Sequence, residues 1–207
     1  RRSLRSSHRR VAEVLEAAFP EECSARPERL ARHWGEAQEV PRALDYFAIA
    51  CERARGVYAN AEAITLYREA LALATQPCET STPLLVTTLL DLQEGLGEVL
   101  TMMRQHGEAV ATLRAVLTQL APDDALRRAR LLRKIGLASR DDQDKGIPLL
   151  ESALAALGAH PTDEHGHWWR EWLQIKFELA KTYYQLVQVA AMKAVAQEIE
   201  PLLADYG

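Results

Sequence analysis

The chain has 207 residues, of which 48% are hydrophobic and 6% aromatic, and its formal net charge is −4. This length and hydrophobic content can supply a sizeable core, whereas the slightly acidic balance argues against general nucleic-acid binding. No apolar run reaches the roughly 20 residues of a membrane-spanning helix, and no secretory leader pattern is present. We therefore expect a cytoplasmic protein that does not enter a membrane.

Residues 1–19 are predicted to form one amphipathic helix, which we interpret as an N-terminal linker helix. Its inward residues should be Val11, Leu15, Ala18 and Phe19. Its first half is basic because of five arginines, Arg1, Arg2, Arg5, Arg9 and Arg10. We interpret this half as a solvated face, the alternative being a contact with nucleic acid or an acidic partner. No aromatic residue interleaves the arginines, as a nucleic-acid surface would require.

Residues 27–75 are predicted to form the first helical hairpins, with helices at 27–37, 41–57 and 61–75. Two sets of small and large residues recur at three- and four-residue spacing: Ala43, Phe47 and Ala50, then Ala63, Tyr67 and Ala70. Their separation is shorter than the roughly 34 residues of a complete tetratricopeptide repeat (TPR). One helix should therefore pack against both its neighbours.

Residues 76–83 are predicted to be a linker, and residues 84–207 to form three further hairpins. The first covers residues 84–120, with Gly97 and Ala109 where its helices would cross. Gly136 and Gly146 repeat this arrangement in the hairpin at 125–158, and residues 168–187 and 189–204 form the last pair. A hairpin cannot bury its own apolar faces and must stack on its neighbours. The pattern predicts one all-α domain, a TPR-like α-solenoid of about nine helices in a right-handed superhelix.

A more specific resemblance lies in residues 29–71. It is carried by Leu30-Ala31-Arg32-His33-Trp34, Ala43-Leu44-Asp45-Tyr46-Phe47, Tyr58-Ala59-Asn60-Ala61-Glu62-Ala63-Ile64 and Leu66-Tyr67-Arg68-Glu69-Ala70-Leu71. Together they resemble the TPR region that follows the ATPase module in large bacterial signalling ATPases. Relatives of that family include multidomain transcriptional activators and ATPases fused to adenylate-cyclase-type domains.

The resemblance covers about residues 8–75, since His8-Arg9-Arg10-Val11-Ala12 is similar to that family's linking helix. It implies that the repeats act as partner-binding or sensor arms, while nucleotide chemistry resides upstream in a larger protein. The chain has no G-x-x-x-x-G-K-[ST] sequence, so it lacks the loop that cradles phosphates and should not hydrolyse ATP.

Candidate binding residues are those expected on the first helix of each hairpin, the helix that lines the concave face of such a stack. We predict an acidic set beside a basic and aromatic set: Asp91, Glu94 and Glu98; Arg130, Arg133 and Arg140; and Phe177, Lys181 and Tyr184. Thr101 and Gln174 belong to the same faces. These residues would suit a polar peptide, although ion pairs between neighbouring helices would explain the charges equally well.

Trp168, Trp169 and Trp172 form the densest aromatic group. They are predicted to pack in the core or cap the end of the stack, the alternative being a platform on which a small ligand stacks. Of the two following tyrosines, we expect Tyr183 to pack and Tyr184 to face the groove.

No catalytic, cofactor or metal site is predicted. Residues 160–167 are rich in histidine and carboxylates, but His165 and His167 do not share a helix face as in H-E-x-x-H. We interpret the segment as a polar loop, the alternative being a zinc or nickel site. Cys23, Cys51 and Cys78 lie far apart, so the sequence predicts neither a disulfide framework nor a zinc knuckle.

The leading hypothesis is a non-catalytic scaffold or regulatory domain of a larger bacterial signalling ATPase or transcriptional regulator. Its concave face would bind a protein or peptide, or the upstream ATPase domain of its own chain. A homodimer stays open, and so does a small-molecule sensor with its ligand near the Trp168–Trp172 cluster and the groove.

Overall fold

The computed structural model describes residues 2–75, 83–139, 143–158 and 166–204. Within these ranges the secondary structure consists of eleven α-helices and no strands. The chain divides into two compact units, Arg1–Gln105 and His106–Gly207. The first unit contains α1 (Arg2–Ala18), α2 (Pro20–Ala25), α3 (Pro27–Glu36), α4 (Val40–Gly56), α5 (Asn60–Ala74) and α6 (Pro83–Met102). The second contains α7 (His106–Gln119), α8 (Ala125–Ala138), α9 (Gln143–Leu157), α10 (His167–Gln185) and α11 (Val189–Ala204).

The all-α prediction is confirmed, and the predicted helices agree with the observed ones to within a few residues. The six-residue helix α2 is an addition that the sequence analysis missed. Pro20 occupies its first turn, where a missing backbone N–H costs nothing. None of the helices in the described ranges combines the length and apolar content needed to cross a lipid bilayer.

Sequential helix packing builds the first unit. Helix α4 packs against both α3 and α5, as the close spacing of the small residues predicted, and α6 packs against α4 and α5. The residues of the two predicted sets are all buried: Ala43, Phe47, Ala50, Ala63, Tyr67 and Ala70. Apolar burial of this kind is the main term that favours the folded chain.

The orientation of α1 differs from the prediction. Ala12 is fully buried against α3 and His8 is half-buried, whereas Val11 is 42% and Phe19 49% exposed. Ala18 is also exposed, and Leu15 is half-buried. The prediction of Val11, Ala18 and Phe19 as inward residues was therefore wrong. Val11 and Ala18 lie on a second apolar face of α1 that α3 does not cover, and Phe19 lies beyond the end of α1.

The same left-handed turn recurs after four helices. Its central residue has a positive φ, which is 63° at Gln38, 59° at Tyr58, 60° at Arg104 and 58° at Val187. In each turn the next amide donates to a carbonyl five residues back, such as Gln188 to Tyr183 at 2.9 Å. These are Schellman motifs, which usually place glycine at this position. A β-branched residue such as Val187 is strained there.

Two close helix approaches depend on glycine. A Cβ at Gly95 of α6 would lie 2.4 Å from the hydroxyl oxygen of Tyr67 on α5. A Cβ at Gly136 of α8 would lie 3.3 Å from Leu150 and 3.4 Å from the carbonyl of Gly146 on α9. The predicted small-residue crossing in the hairpin at 125–158 is thus confirmed.

Two histidines join α1 to α3. His8 Nδ1 and His33 Nδ1 lie 3.0 Å apart, so one ring donates and the other accepts. Burial, followed by the charges of His8 and Arg29, lowers the pKa of His33 below its ordinary value. Protonation of His33 would therefore oppose the packing of α1 on α3.

Candidate interaction surface

The predicted contact residues of α10 lie on one face of that helix, and most of their surface is open to solvent. Gln174, Phe177, Lys181 and Tyr184 are all exposed. Arg170, which is exposed, extends the set by one turn. Their spacing of three and four residues places them on a single face. We call Arg170, Gln174, Phe177, Lys181 and Tyr184 the α10 stripe. The sequence analysis missed Arg170, although it lies four residues before Gln174.

The α10 stripe offers two large aromatic side chains around a cation. Phe177 is 56% and Tyr184 73% exposed. The side chain of Lys181 is 52% exposed, and its Nζ lies 4.0 Å from a carboxylate oxygen of Glu178. Tyr183 is half-buried, with its hydroxyl 3.5 Å from Glu151. The structure therefore agrees with the expectation that Tyr183 packs. Tyr184 is exposed, and its place in a binding groove stays a prediction.

Arg133 of α8 has a different environment. Its Nε and Nη2 donate to the two carboxylate oxygens of Glu171 at 2.5 and 3.3 Å. The side chains of Arg133 and Glu171 are only 12% and 8% exposed, so this ion pair joins α8 to α10 inside the second unit. Arg130 is half-buried one turn earlier. The charge pattern left open that the arginines pair with neighbouring helices, and Arg133 does so. Contact of Arg130 or Arg133 with a binding partner stays a prediction.

Arg140 lies outside the described residues. The predicted acidic residues belong to α6 in the first unit and differ in depth: Asp91 is exposed, Glu94 is 6% exposed and Glu98 is half-buried. The Glu98 carboxylate accepts from Arg55 of α4 at 2.5 Å. Thr101 donates to the carbonyl of Gly97 at 2.8 Å. Of the three acids, Asp91 is therefore the most accessible to a partner.

Glu98 is part of a polar cluster between α4, α5 and α6. Arg55 also pairs with Glu52 at 2.8 Å, and the Tyr67 hydroxyl lies 3.4 Å from the same carboxylate. Burial alone would lower the pKa of Arg55. The nearby carboxylate of Glu98 and the Tyr67 hydroxyl outweigh burial and hold this pKa above its ordinary value. Burial also raises the pKa of Tyr67. These contacts hold the three helices together.

The tryptophan cluster lies against the core of the second unit. Trp168 is 6% exposed, and its Nε1 donates to the carbonyl of Leu157 at 3.0 Å. The Trp168 and Trp172 rings stack with centroids 6.3 Å apart, and Trp169 meets Trp168 edge-on at 4.8 Å. Lys176 lies over Trp172 at 5.3 Å. Much of the ring surface is thus already covered by protein.

Glu16 was not singled out from the sequence but organises a cleft in the first unit. One oxygen of its carboxylate accepts from Trp34 Nε1 at 3.0 Å and from the Tyr46 hydroxyl at 2.8 Å. Burial and this hydrogen bond raise the pKa of Tyr46 to about 12. Arg42 lies over the Trp34 ring at 4.6 Å. The Arg42 guanidinium therefore contacts the Trp34 ring, and the Glu16 carboxylate is hydrogen-bonded by Trp34 and Tyr46.

No cluster of three or more potential metal ligands occurs among the residues that the structure describes. His160 and His165 of the predicted loop lie outside them, as does Cys78, while His167 is the exposed first residue of α10. Cys51 is fully buried, and burial raises the pKa of its thiol to about 12. That thiol is protonated at neutral pH.

The sequence matches no family model, and it matches no curated protein. Solved structures are nevertheless similar. A Podosopora anserina kinesin light chain with nearly identical TPR-like repeats has a TM-score of 0.66 at 18% identity, covering 99% of this chain and 96% of the other. A single-residue variant of that kinesin light chain has a TM-score of 0.68 at 18% identity, with the same coverage.

BtubC (BKLC) from P. vanneervenii has a TM-score of 0.67 at 14% identity, covering 99% of this chain and 91% of the other. Identities this low relate the folds and carry no activity or partner across. The chain therefore has the fold of the TPR-like helical-repeat proteins.

Proposed function

We propose that this chain is a non-catalytic protein-interaction scaffold that binds a protein or peptide along the α10 stripe. The observation that supports this proposal is the exposure of Phe177 and Tyr184 on one face of a regular helix. Single exposed apolar residues are common on protein surfaces, but aromatic residues on a rigid helix are typical energetic anchors of interfaces. TPR-like folds commonly provide such scaffolds.

The chemistry of the stripe suggests the character of its partner. Phe177 and Tyr184 offer apolar ring faces, while Lys181 and Gln174 between and beside them can donate hydrogen bonds. A partner segment with apolar side chains and backbone or side-chain acceptors would be complementary to this face. The pairing of Glu171 with Arg133 anchors α10 on α8 and so supports the surface from within the unit.

The absence of catalysis is part of the same proposal. The buried thiol of Cys51 is protonated at neutral pH and makes a poor nucleophile. The Trp168 indole N–H is engaged by a backbone carbonyl, which favours packing over ligand binding for that ring. We therefore place the binding function on α10 rather than on the tryptophan cluster.

We further propose that the scaffold serves a larger bacterial signalling ATPase or transcriptional regulator in the cytoplasm. The support is the sequence resemblance over residues 8–75, whose motifs lie in helices α1 and α3 to α5. In that setting the stripe would bind an external partner or another part of the same protein. The occupancy of the stripe would then be relayed to the ATPase.

A random peptide library displayed on phage tests the binding proposal. Peptides would be selected on the wild-type chain, and their dissociation constants measured by fluorescence polarisation on wild type and on the double variant F177A/Y184A. We expect at least a tenfold weaker affinity for the variant, because truncation of an aromatic anchor typically costs about 2 kcal/mol or more.

The matched control is Tyr58→Ala, which removes a tyrosine that is 85% exposed in the first unit. Its affinity for the selected peptides should equal that of wild type. Equal binding of all selected peptides to F177A/Y184A would refute the stripe as the binding face. A metabolite panel that quenches tryptophan fluorescence saturably would instead favour the small-molecule alternative.

A further inference from the structure

Helix α1 presents a second apolar face that its packing on α3 leaves exposed. Its buried face, with Ala12 and His8, packs on α3. On another side of the helix, Leu4 is 63%, Val11 42% and Val14 51% exposed. Ser7 and Ala18 are exposed on the same side. We call Leu4, Ser7, Val11, Val14 and Ala18 the α1 seam.

The spacing of the seam is that of a helix pair. Its positions alternate by three and four residues, a period of about 3.5, which is the repeat that keeps one helix facing another. From Leu4 to Ala18 the seam extends over about four turns, roughly 21 Å at about 1.5 Å per residue. Scattered exposed apolar residues need no partner, but a continuous seam of this period is typical of one.

The charges along α1 and the start of α2 are divided between two halves. Five arginines lie within residues 1–10, and four glutamates follow, Glu13, Glu16, Glu21 and Glu22. Arg9 already pairs with Glu39, and Glu16 already accepts from Trp34 and Tyr46 of its own chain. Among the described residues, the remaining exposed charges are Arg5, Arg10, Glu13, Glu21 and Glu22. A helix of this polarity is complementary to a copy of itself that runs in the opposite direction.

We propose that α1 forms an antiparallel pair with α1 of a second copy of this chain, about a twofold axis at Val11. In that register Leu4 lies opposite the second copy's Ala18, and Ser7 lies near the second copy's Val14. Leu4 and Val14 thus each meet a smaller side chain, and Val11 meets the second copy's Val11 on the axis. Arg10 comes within reach of the second copy's Glu13 on the same flank, and twofold symmetry makes that contact twice.

Two other occupants fit the seam less well. A parallel pair of α1 helices would place arginines beside arginines and glutamates beside glutamates. An anionic membrane surface would attract the first half of the helix but repel the exposed glutamates that follow it, Glu13, Glu21 and Glu22. The antiparallel pair is the arrangement in which both halves find opposite charge.

The dimer should be weak and sensitive to salt. One pair of four-turn helices buries less than the roughly 1,200 Å² of a stable interface. Part of its free energy comes from exposed charges, which salt screens over about 8 Å at physiological ionic strength. We therefore expect an equilibrium between monomer and dimer that shifts to monomer at high salt.

Sedimentation equilibrium over a concentration series at low and high salt tests the association. Val11→Glu places two carboxylates on the axis and should weaken the dimer at least tenfold, while its circular dichroism stays that of wild type because the site is exposed. Val86→Glu, at a valine of 45% exposure on α6, is the matched control and should dimerise as wild type does. A wild-type chain that stays monomeric throughout would overturn the proposal, and so would a dimer that Val11→Glu does not weaken.

Cysteine cross-linking tests the direction of the pair. In a background with the three native cysteines replaced by alanine, Leu4→Cys and Ala18→Cys chains of different mass would be mixed and oxidised. Antiparallel pairing predicts the mixed disulfide between the two variants. Disulfides of each variant only with itself would indicate a parallel pair and refute the proposed arrangement.

Discussion

The buried ion pair between Arg133 and Glu171 yields the most decisive stability experiment on the second unit. Replacing Glu171 with leucine would leave the guanidinium of Arg133 in a position where only 12% of its side chain reaches solvent. Replacing Arg133 with methionine would strand the carboxylate in the same way. Each single change should therefore be far more costly than the change of both residues together.

The magnitude follows from the geometry. Arg133 makes two hydrogen bonds to the carboxylate, at 2.5 and 3.3 Å, and hydrogen bonds to charged groups contribute about 1.5–3 kcal/mol each. Breaking a buried ion pair by removing one partner costs about 3–5 kcal/mol. We expect a loss of about 3 kcal/mol or more for each single variant and a change of about 1 kcal/mol or less for R133M/E171L.

Urea unfolding followed by circular dichroism gives the free energy of unfolding of wild type, both single variants and the double variant. These four values complete a double-mutant cycle. The control is the more exposed pair of Lys181 and Glu178, where removal of the lysine charge should cost less than about 1 kcal/mol. If the loss in the double variant equalled the sum of the two single losses, Arg133 and Glu171 would not stabilise the fold as a pair, and the reasoning would be refuted. A single variant within about 1 kcal/mol of wild type would show that water reaches the stranded charge.

Further predictions concern close packing, backbone strain and pH. Gly95→Ala puts a Cβ 2.4 Å from the Tyr67 hydroxyl oxygen, so chemical denaturation should show a loss of about 1–3 kcal/mol that Tyr67→Phe partly restores. Gly56→Ala, with nothing within 4 Å of its new Cβ, should be neutral or stabilising, and a large loss there would contradict the packing. Val187→Gly should raise the melting temperature, because a left-handed L-residue costs about 1–2 kcal/mol against about 0.5–1 kcal/mol of extra chain entropy for glycine. Burial lowers the pKa of His33 from 6.5. The contribution of His33 to stability should therefore be complete above pH 6.5 and decline as the pH falls below 6.5. Thermal melts of His33→Asn over the same pH range should lack this decline.

The order of helices could be predicted because it depends on local signals. The apolar residues recur at helical spacing, and prolines at the first turns of α3 and α4 mark where those helices begin. The small residues Gly136 and Gly146 indicated a close crossing that the structure contains. The short α2 was missed because six residues are too few for a periodic pattern.

The candidate surface was only partly predictable. The α10 stripe follows from spacing within one helix, so its exposure could be anticipated at Phe177 and Tyr184. The partner of Arg133 could not, since Glu171 lies 38 residues along the chain. Likewise Glu98 pairs with Arg55 across 43 residues. Such pairs depend on which helices become neighbours.

The sequence by itself determined that this chain is all-α, where most of its helices begin and end, and which residues share a helix face. These properties depend on backbone propensity and on the helical period of about 3.6 residues, which act over a few residues. Tertiary structure decided which face of each helix is covered. On α1 the sequence offers two apolar faces, and only the packing on α3 selects Ala12 and leaves Val11 exposed. Burial depends on contacts between distant segments, and no local pattern contains that information.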